Sequence, residues 1–425
     1  MANREQGPPA STLGLVSWAM YDWANSAYAA VIATFVFSAY FVKGVAADPV
    51  AGTEMWGYAI SLSGIVIAVL SPPIGAIADQ AGRRKPWIFW FTVGLALASA
   101  MLWTVKPNPA YAIWGLVLVA VCHLTFELGT VFYNAMLPEL AGRDRIGRVS
   151  GWAWGLGYAG GLACLGLTFV GFVNAETPWF GLNKSEAEHI RIVGPIVGLW
   201  LIVFAIPLFL FTPDTPRTAV TWSGVVRNGL GTLMDTVRQH RRHRPIIWFL
   251  VARMFYTEGL NTLFSFGGIY AAGTFGMDFS ELIAFGVGMS VTAGIGAAMF
   301  AWLDDWFGPK RTIIGSVVML IVLGGTLLFV QSKTMFWVFG LPLGLFVGPA
   351  QSASRSLMAH MAPPELRNEM FGLFALSGKV TAFMGPAALA WATAAAGSQR
   401  AGMATILAFF LLGLALMRMV PDVRR

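Results

Sequence analysis

The sequence predicts an all-α membrane protein with twelve transmembrane helices in two six-helix bundles. Three observations support this prediction. Of the 425 residues, 56% are hydrophobic and only 12% are charged, whereas about a quarter of the residues in a soluble protein are charged. The apolar residues form twelve runs long enough to cross a bilayer, which takes roughly 20 residues. Finally, two charged loops in the first half of the chain recur in the second half.

The apolar runs are expected to be helices, because lipid offers no hydrogen-bond partner to free backbone groups. The first run is too long for the core of a signal peptide, so we expect it to remain as a span. The predicted spans are 15–42, 55–76, 87–105, 110–137, 149–173, 190–211, 245–272, 282–303, 311–330, 334–361, 370–391 and 400–419.

The positive charges predict the orientation of the chain. Most of the 28 Lys and Arg residues fall in the loops on the side where the chain begins and ends. Such loops face the cytoplasm, so we expect both termini inside, in the inner membrane of a bacterium. The same bias accounts for the net charge of +7 without a nucleic-acid partner. The expected partners are the lipid bilayer and a small-molecule substrate, and the chain is expected to be a monomer.

The longest polar stretch, 212–244, divides the chain into bundles 1–211 and 245–425. Its basic run, 240–244, is interpreted as a cytoplasmic anchor, with binding of an anionic lipid head group as the alternative. The bundles are related in sequence, because Asp79 and Asp305 are separated by as many positions as the two Pro-Glu-Leu segments that begin at Pro138 and Pro364. This common offset indicates a duplicated six-helix unit.

Three segments resemble known transporters. The loop 75–85 (Gly-x3-Asp-x2-Gly-Arg-Arg-Lys) resembles the signature loop of the major facilitator superfamily, with Gln80 where many members carry Arg. Segments 21–28 and 258–270 resemble the vacuole-effluxer-like family of that superfamily, whose eukaryotic members include the autophagy-related vacuolar amino-acid effluxer. The resemblance implies the major facilitator fold, secondary transport and, loosely, amino acids as substrates.

The spans contain ionisable residues, which are costly in a membrane and therefore need a reason. Asp22 and Asn25 lie three positions apart in the first span, and Glu258 and Asn261 have the same spacing in the seventh. Residues with this spacing share a helix face. The functional interpretation is a pair of carboxylates that hold protons or a substrate ammonium group. The alternative is hydrogen bonding between helices away from the transport path.

Further charges lie in the fourth, seventh, tenth and eleventh spans. His123 and Glu127 are four positions apart and form a candidate proton relay, with a purely structural ion pair as the alternative. Arg253, Arg355 and Lys379 are cations inside spans. Each is a candidate for binding a substrate carboxylate, although Arg253 and Arg355 are close enough to the ends of their spans to reach the interface. Carboxylates and cations together favour a zwitterion such as an amino acid, with a neutral sugar as the alternative.

The signature loop is predicted to act as a conformational latch at the cytoplasmic side. Asp79 is expected to pair with an adjacent arginine or to cap the first turn of a neighbouring helix. The predicted latch residues are Gly75, Asp79, Gly82, Arg83, Arg84 and, in the second half, Asp305. The glycines of the fifth span, from Gly151 to Gly161, are interpreted as sites of close helix packing rather than as an antiporter motif.

The sequence contains no phosphate-binding loop, nucleotide fingerprint, zinc-ligand spacing or nucleophile triad. We therefore predict a transporter rather than an enzyme, without metal or cofactor, driven by a gradient for which protons are the candidate ion. A lipid-modifying membrane enzyme and a non-transporting sensor are the alternatives from other classes. Five scattered histidines argue against the enzyme, and the lack of a large soluble segment argues against the sensor.

Overall fold

The computed structural model describes residues 10–216, 228, 231 and 243–423. The first half consists of six helices joined by short connections. Helix α1 begins at Thr12 and continues with changes of helix type to Val45. The others are α2 (Pro49–Ala81), α3 (Lys85–Met101), α4 (Ala112–Leu140), α5 (Ile146–Thr168) and α6 (Val193–Phe211).

The second half repeats this order. Its helices are α7 (Arg244–Phe275), α8 (Phe279–Phe307), α9 (Pro309–Phe329), α10 (Lys333–Met361), α11a (Arg367–Ser377), α11b (Met384–Ala396) and α12 (Gln399–Met417). Helices α11a and α11b occupy one predicted span, 370–391, which is interrupted by turns at residues 378–383. Within this break, the N–H groups of Gly378, Lys379 and Ala382 each bond to the carbonyl three residues earlier.

Ten helical segments of the described chain are long and apolar enough to cross a membrane. The two other predicted spans correspond to α7 and to the interrupted α11. Helix α7 is 32 residues long, but it carries Arg253, Glu258 and Asn261, which lower its hydropathy. The break in α11 contains Lys379 and divides an otherwise continuous apolar run. The charged residues that lower the hydropathy of these two spans belong to the cavity or lie next to it.

One end of the bundle, which we call the terminus face, contains the start of α1 and the end of α12. There, the N–H of Ala10 donates to the carbonyl of Leu140 at the end of α4, at 3.1 Å. The Thr212 hydroxyl donates to the carbonyl of Gly14, also at 3.1 Å. The predicted linker 212–244 starts at this face, and its basic run 240–244 lies largely outside the described residues.

The two halves approach closely where small residues face backbone. A Cβ at Gly75 in α2 would overlap the carbonyl of Asn368 at the start of α11a. A Cβ at Gly151 in α5 would similarly overlap the backbone of α8 at Ala297. Gly160 packs against the backbone of Trp23 in α1 within the first half. The packing interpretation of the glycines in the fifth span is therefore confirmed at Gly151 and Gly160.

Helix α1 changes its winding beside the cavity. It is α-helical over Thr12–Ala27 and π-helical over Tyr28–Phe35, followed by a short α-helical turn and a second π-helical stretch. π-Helical turns are rare and often occur at functional sites. The first change follows directly on the segment that contains Asp22 and Asn25.

Candidate functional site

A central cavity of about 1360 Å³ lies between the two halves. Helices α1, α2, α4 and α5 line it from the first half, and α7, α8, α10 and α11 from the second, with further apolar residues from α9 and α12. Seven of the eight predicted binding residues line the cavity: Asp22, Asn25, His123, Glu127, Asn261, Arg355 and Lys379. The eighth, Glu258, does not.

Asp22 and Arg355 form an ion pair that joins the two halves. The Arg355 NH1 group donates to Asp22 Oδ2 at 2.9 Å. The Arg355 side chain is only 3% exposed and that of Asp22 is 14% exposed. The interpretation in which Arg355 reaches the membrane interface is therefore wrong, because its side chain extends into the contact between the halves.

Arg355 is held on every side of its guanidinium group. Its Nε donates to the Ser150 hydroxyl at 2.9 Å, and NH2 donates to the Ser150 carbonyl at 2.7 Å. NH1 also donates to Asn134 Oδ1 at 3.3 Å. The rings of Trp18 and Trp154 lie within cation–π distance of the guanidinium carbon. A buried charge needs such a complete set of partners.

A second ion pair joins the halves nearby. Lys379, in the break of α11, donates to Glu127 Oε1 of α4 at 2.8 Å. The side chains are 24% and 19% exposed, so this pair is more accessible than the first. Glu127 was predicted to act with His123, which lies one turn earlier on α4 and also lines the cavity. The structure adds a cationic partner for Glu127 from the other half.

Glu258 lies behind the cavity wall rather than in it. It is 1% exposed, and its Oε1 accepts a hydrogen bond from the N–H of Gly385 at 2.8 Å. Gly385 is in the first turn of α11b, where an acidic group is favoured by the free N–H groups and the helix dipole. The expectation that Asp22 and Glu258 form a pair of carboxylates in the cavity is wrong, because Glu258 does not line it. Asn261, three residues later, is exposed and lines the cavity.

Arg253, the third cation inside a span, also lines the cavity. Its NH1 donates to the Phe374 carbonyl at 2.7 Å and to the Ser377 hydroxyl at 2.8 Å. Its guanidinium carbon lies 3.6 Å from the centre of the Phe374 ring. These contacts attach α7 to the last turn of α11a, next to the break.

Asp79 of the signature loop caps a helix of the opposite half. Its Oδ1 accepts from the N–H and the side-chain amide of Asn368, at 3.0 and 2.7 Å. Its Oδ2 accepts from the N–H of Glu369 at 2.8 Å. Both residues lie in the first turn of α11a, so the carboxylate binds the positive end of that helix. Of the two predicted alternatives for Asp79, the structure contains the cap.

The arginines of the loop have different roles. Arg84 forms a two-pronged pair with Glu139 at 2.5 and 2.9 Å, and Glu139 also accepts from Arg367 of the other half at 2.8 Å. Arg83 is exposed. Gly82 has φ of 86°, a conformation that favours glycine at this turn. The loop therefore contributes a carboxylate cap and an ion-pair network to the same interface.

Asp305, from the second half, makes the corresponding contact with the first half. Its Oδ1 accepts from the N–H of Arg148, in the first turn of α5, and its Oδ2 from Arg148 Nε, both at 3.1 Å. The predicted duplication is thus visible as geometry, because a loop carboxylate from each half binds the start of a helix in the other.

Several residues of the site were not predicted. Asn134 is seven positions after Glu127, and Gln351 is four before Arg355, so helical spacing from the predicted residues could have identified both. Gln351 accepts from the Tyr158 hydroxyl at 3.4 Å across the interface. The Tyr28 hydroxyl and the Trp154 indole N–H are buried beside the cavity, and neither makes a hydrogen bond within the described part of the chain. Such groups are candidates to bind a polar ligand.

In the described part of the chain, twelve helices, of which α11 is interrupted, form two related halves around a charged central cavity. This is the architecture of the major facilitator class of transporter. Solved structures support this fold. The proton:xylose symporter XylE, solved with 6-bromo-6-deoxy-D-glucose, aligns with a TM-score of 0.72 at 14% identity, covering 96% of each chain. The transporter FucP in its outward conformation aligns with a TM-score of 0.71 at 13% identity, covering 96% of this chain and 98% of FucP.

Sequence comparison gives the family. The model of the vacuole effluxer Atg22-like family matches residues 44–425, and the chain belongs to that family. The uncharacterized MFS-type transporter YxiO of Bacillus subtilis is 26% identical, covering 96% of this chain and 94% of YxiO. Autophagy-related protein 22 of Coccidioides immitis is 23% identical, covering 78% of this chain and 66% of its own length. The chain is a multi-pass membrane transporter, not an enzyme.

Proposed function

We propose that this transporter moves an amino acid or a similar zwitterion across the membrane by alternating access. The proposal rests on two ion pairs that connect the halves across the cavity. The first half supplies the carboxylates of Asp22 and Glu127, and the second half supplies the cations Arg355 and Lys379. A zwitterion presents both charges at once, so it can bind to each half with a different end.

The two ion pairs are suited to different tasks. All three nitrogens of Arg355 donate to protein groups. A substrate would have to displace Asp22 to bind here, and the other partners would still hold the guanidinium group in place. We assign the Asp22–Arg355 pair to holding the two halves together. A buried pair of this kind is costly to break by removing one partner, by about 3–5 kcal/mol.

The Glu127–Lys379 pair is the proposed substrate site. Both side chains are partly exposed to the cavity, and Lys379 extends from the break in α11 rather than from a continuous helix. A substrate ammonium group would replace Lys379 at Glu127, while the substrate carboxylate would bind Lys379. The exchange keeps every charge paired, so binding does not leave an isolated charge in the membrane.

Alternating access requires that one face open while the other closes. The contacts of Asp79, Glu139 and Asp305 hold the halves together at the terminus face. If this face is cytoplasmic, as the distribution of Lys and Arg predicts, the structure corresponds to an outward-facing state. We further propose a monomer in a bacterial inner membrane with both termini inside. Export as the direction is proposed from the description of the family alone.

A thermal-shift screen of the purified protein against amino acids, sugars and nucleosides tests the proposal. We expect amino acids to raise the melting temperature, and both Glu127→Gln and Lys379→Gln to abolish that increase. The matched control is Glu281→Gln, which removes a different Lys–Glu pair, with Lys333, away from the cavity lining. Stabilisation by a neutral sugar that survives in both cavity variants would contradict the proposal and favour a sugar permease.

A further inference from the structure

Glu258 is a buried carboxylate whose environment differs from that of Asp22 and Glu127, the two acids that line the cavity. Asp22 and Glu127 each lie within ion-pair distance of a cation. Glu258 instead accepts one backbone hydrogen bond, from Gly385. Its Oε2 makes no hydrogen bond of normal geometry within the described residues, although the side chain of Thr381 lies beside it. The neighbouring Thr262 hydroxyl is also without a partner in that part of the chain.

The charged groups on the elements that pack against α7 are engaged elsewhere. On α7 itself, Arg253 donates to α11a, and on α10, Arg355 binds Asp22. The remaining groups lie at the ends of the bundle or in the other ion pair. They are Glu281 of α8 with Lys333 of α10, Lys379 with Glu127, Arg400 of α12 on the carbonyls of Leu328 and Val330, and Asp304, Asp305, His360, Arg367, Glu369 and Arg418 toward the terminus face.

A carboxylate without a cation in a low-dielectric core is costly as an anion, and taking up one proton removes that cost. In the acid form, the second oxygen can also donate a hydrogen bond, because a protonated carboxyl group is a hydrogen-bond donor. Among the described residues, Thr262 Oγ1 and Glu258 Oε2 are oxygens of this buried region without a hydrogen bond of normal geometry, and the Thr381 side chain lies beside Glu258. The proton would come from water in the cavity, which is lined by the adjacent residues Thr257 and Asn261.

We infer that Glu258 is the carboxyl group that takes up the coupling proton, and that it acts on the substrate site through the break in α11. Its partner Gly385 lies six residues after Lys379. Protonation removes the anion from the start of α11b, and deprotonation restores it. Because the break between these points is a set of short turns, a shift at the start of α11b can move Lys379 relative to Glu127. This inference rests on the proposed function, to which it adds the coupling site.

The test that needs no substrate is infrared difference spectroscopy of the purified protein as the pH is lowered. We expect the carbonyl band of a neutral glutamic acid, identified by its shift on ¹³C labelling of glutamate side chains, to appear in the wild type before the exposed carboxyl groups protonate, to be lost in Glu258→Gln and to remain in Glu127→Gln and Asp22→Asn. Glutamine keeps the carbonyl oxygen that accepts from Gly385, so the fold should persist. A band that remains in Glu258→Gln, or that disappears in either of the other variants, would overturn the inference.

If Glu258→Gln does not fold, side-chain labelling of glutamate with ¹³C keeps the inference testable. The acid band of the double variant Glu127→Gln, Glu369→Gln should then shift with the label. Every aspartate is unlabelled, Glu127 and Glu369 are absent, and Glu139 is paired with Arg84 and Arg367. A band that does not shift would overturn the inference.

Transport in vesicles gives an independent test where Glu258→Gln folds. In that variant, we expect pH-driven accumulation of a labelled amino-acid mixture to be lost while exchange at equal pH continues. The two proposals can fail separately. Amino-acid binding that survives in Glu127→Gln would contradict the substrate site, whereas an acid band that does not depend on Glu258 would contradict the coupling site.

Discussion

Asp79 and Asp305 make equivalent contacts from opposite halves of the molecule. Asp79 binds the N–H groups of Asn368 and Glu369 at the start of α11a, and Asp305 binds the N–H of Arg148 at the start of α5. The two contacts differ in their support, because Arg84, Glu139 and Arg367 form an ion-pair network beside Asp79. The closed terminus face therefore depends more on the contacts of the first signature loop than on those of the second.

Asp79→Asn is expected to slow transport while leaving equilibrium binding of the substrate largely intact. The new amide group would point a donor at the N–H of Glu369, and the charge that favours the start of α11a would be lost. Such a charge contributes about 0.3–1 kcal/mol, and up to about 2 kcal/mol when partly buried. Exchange rates in vesicles and binding in detergent measure the two effects separately. Asp305→Asn is the comparison and should have the smaller effect, and exchange at the wild-type rate in Asp79→Asn would contradict the latch.

Gly75→Ala is expected to prevent closure of the terminus face. The added Cβ would overlap the carbonyl of Asn368, so α2 and α11a would have to separate. Spin labels at positions 83 and 365, both exposed, should report a longer distance than in the wild type. Gly57→Ala adds the same methyl group to α2 at a position with open space around it, and should leave the distance unchanged. An unchanged distance in Gly75→Ala would show that the close approach is not needed for closure.

The two ion pairs should differ in their contribution to stability. Arg355→Ala leaves Asp22 and the Ser150 carbonyl without their partner, and removal of one member of a buried pair costs about 3–5 kcal/mol. Lys379→Ala affects a pair that is partly exposed, so we expect a smaller loss. Thermal unfolding in detergent measures both. The double variant Asp22→Asn, Arg355→Met should recover part of the loss, because it leaves no unpaired charge. Equal melting temperatures for the two alanine variants would contradict the assigned roles.

Much of the fold could be predicted from the sequence, because span length and hydropathy depend only on the chain and the bilayer. The repeat was also visible, since Asp79 and Asp305 are in matching loops. The partners of the charged residues could not be predicted. The sequence pairs Glu127 with His123 on its own helix, and Asp22 with Glu258 through their common spacing to an asparagine, whereas the ion pairs cross between the halves. Spacing along a helix identifies shared faces, but it contains no information on which face of another helix lies opposite.

The break in α11 was the other feature that could not be predicted. Residues 370–391 contain no charged residue apart from Lys379 and are predicted as one span, although Gly378 and Pro386 are weak signals of interruption. The break changes the role of Glu258, which caps the start of α11b instead of facing the cavity. The N–H groups at a helix end inside the membrane need hydrogen-bond partners. Glu258 supplies one to Gly385, which explains why this glutamate is buried although the sequence alone assigns it to the substrate or proton site.

The central claim is that Glu127 binds the ammonium group of the substrate and Lys379 its carboxylate. It is tested most directly by measuring binding of an amino acid, its deaminated acid and its decarboxylated amine to the wild type, Glu127→Gln and Lys379→Gln. The wild type should bind the amino acid best. Glu127→Gln retains Lys379 and should shift its preference to the acid, whereas Lys379→Gln retains Glu127 and should shift its preference to the amine. If both variants keep the wild-type order of preference, the Glu127–Lys379 pair does not bind the charged groups of the substrate, and the proposed substrate site is wrong.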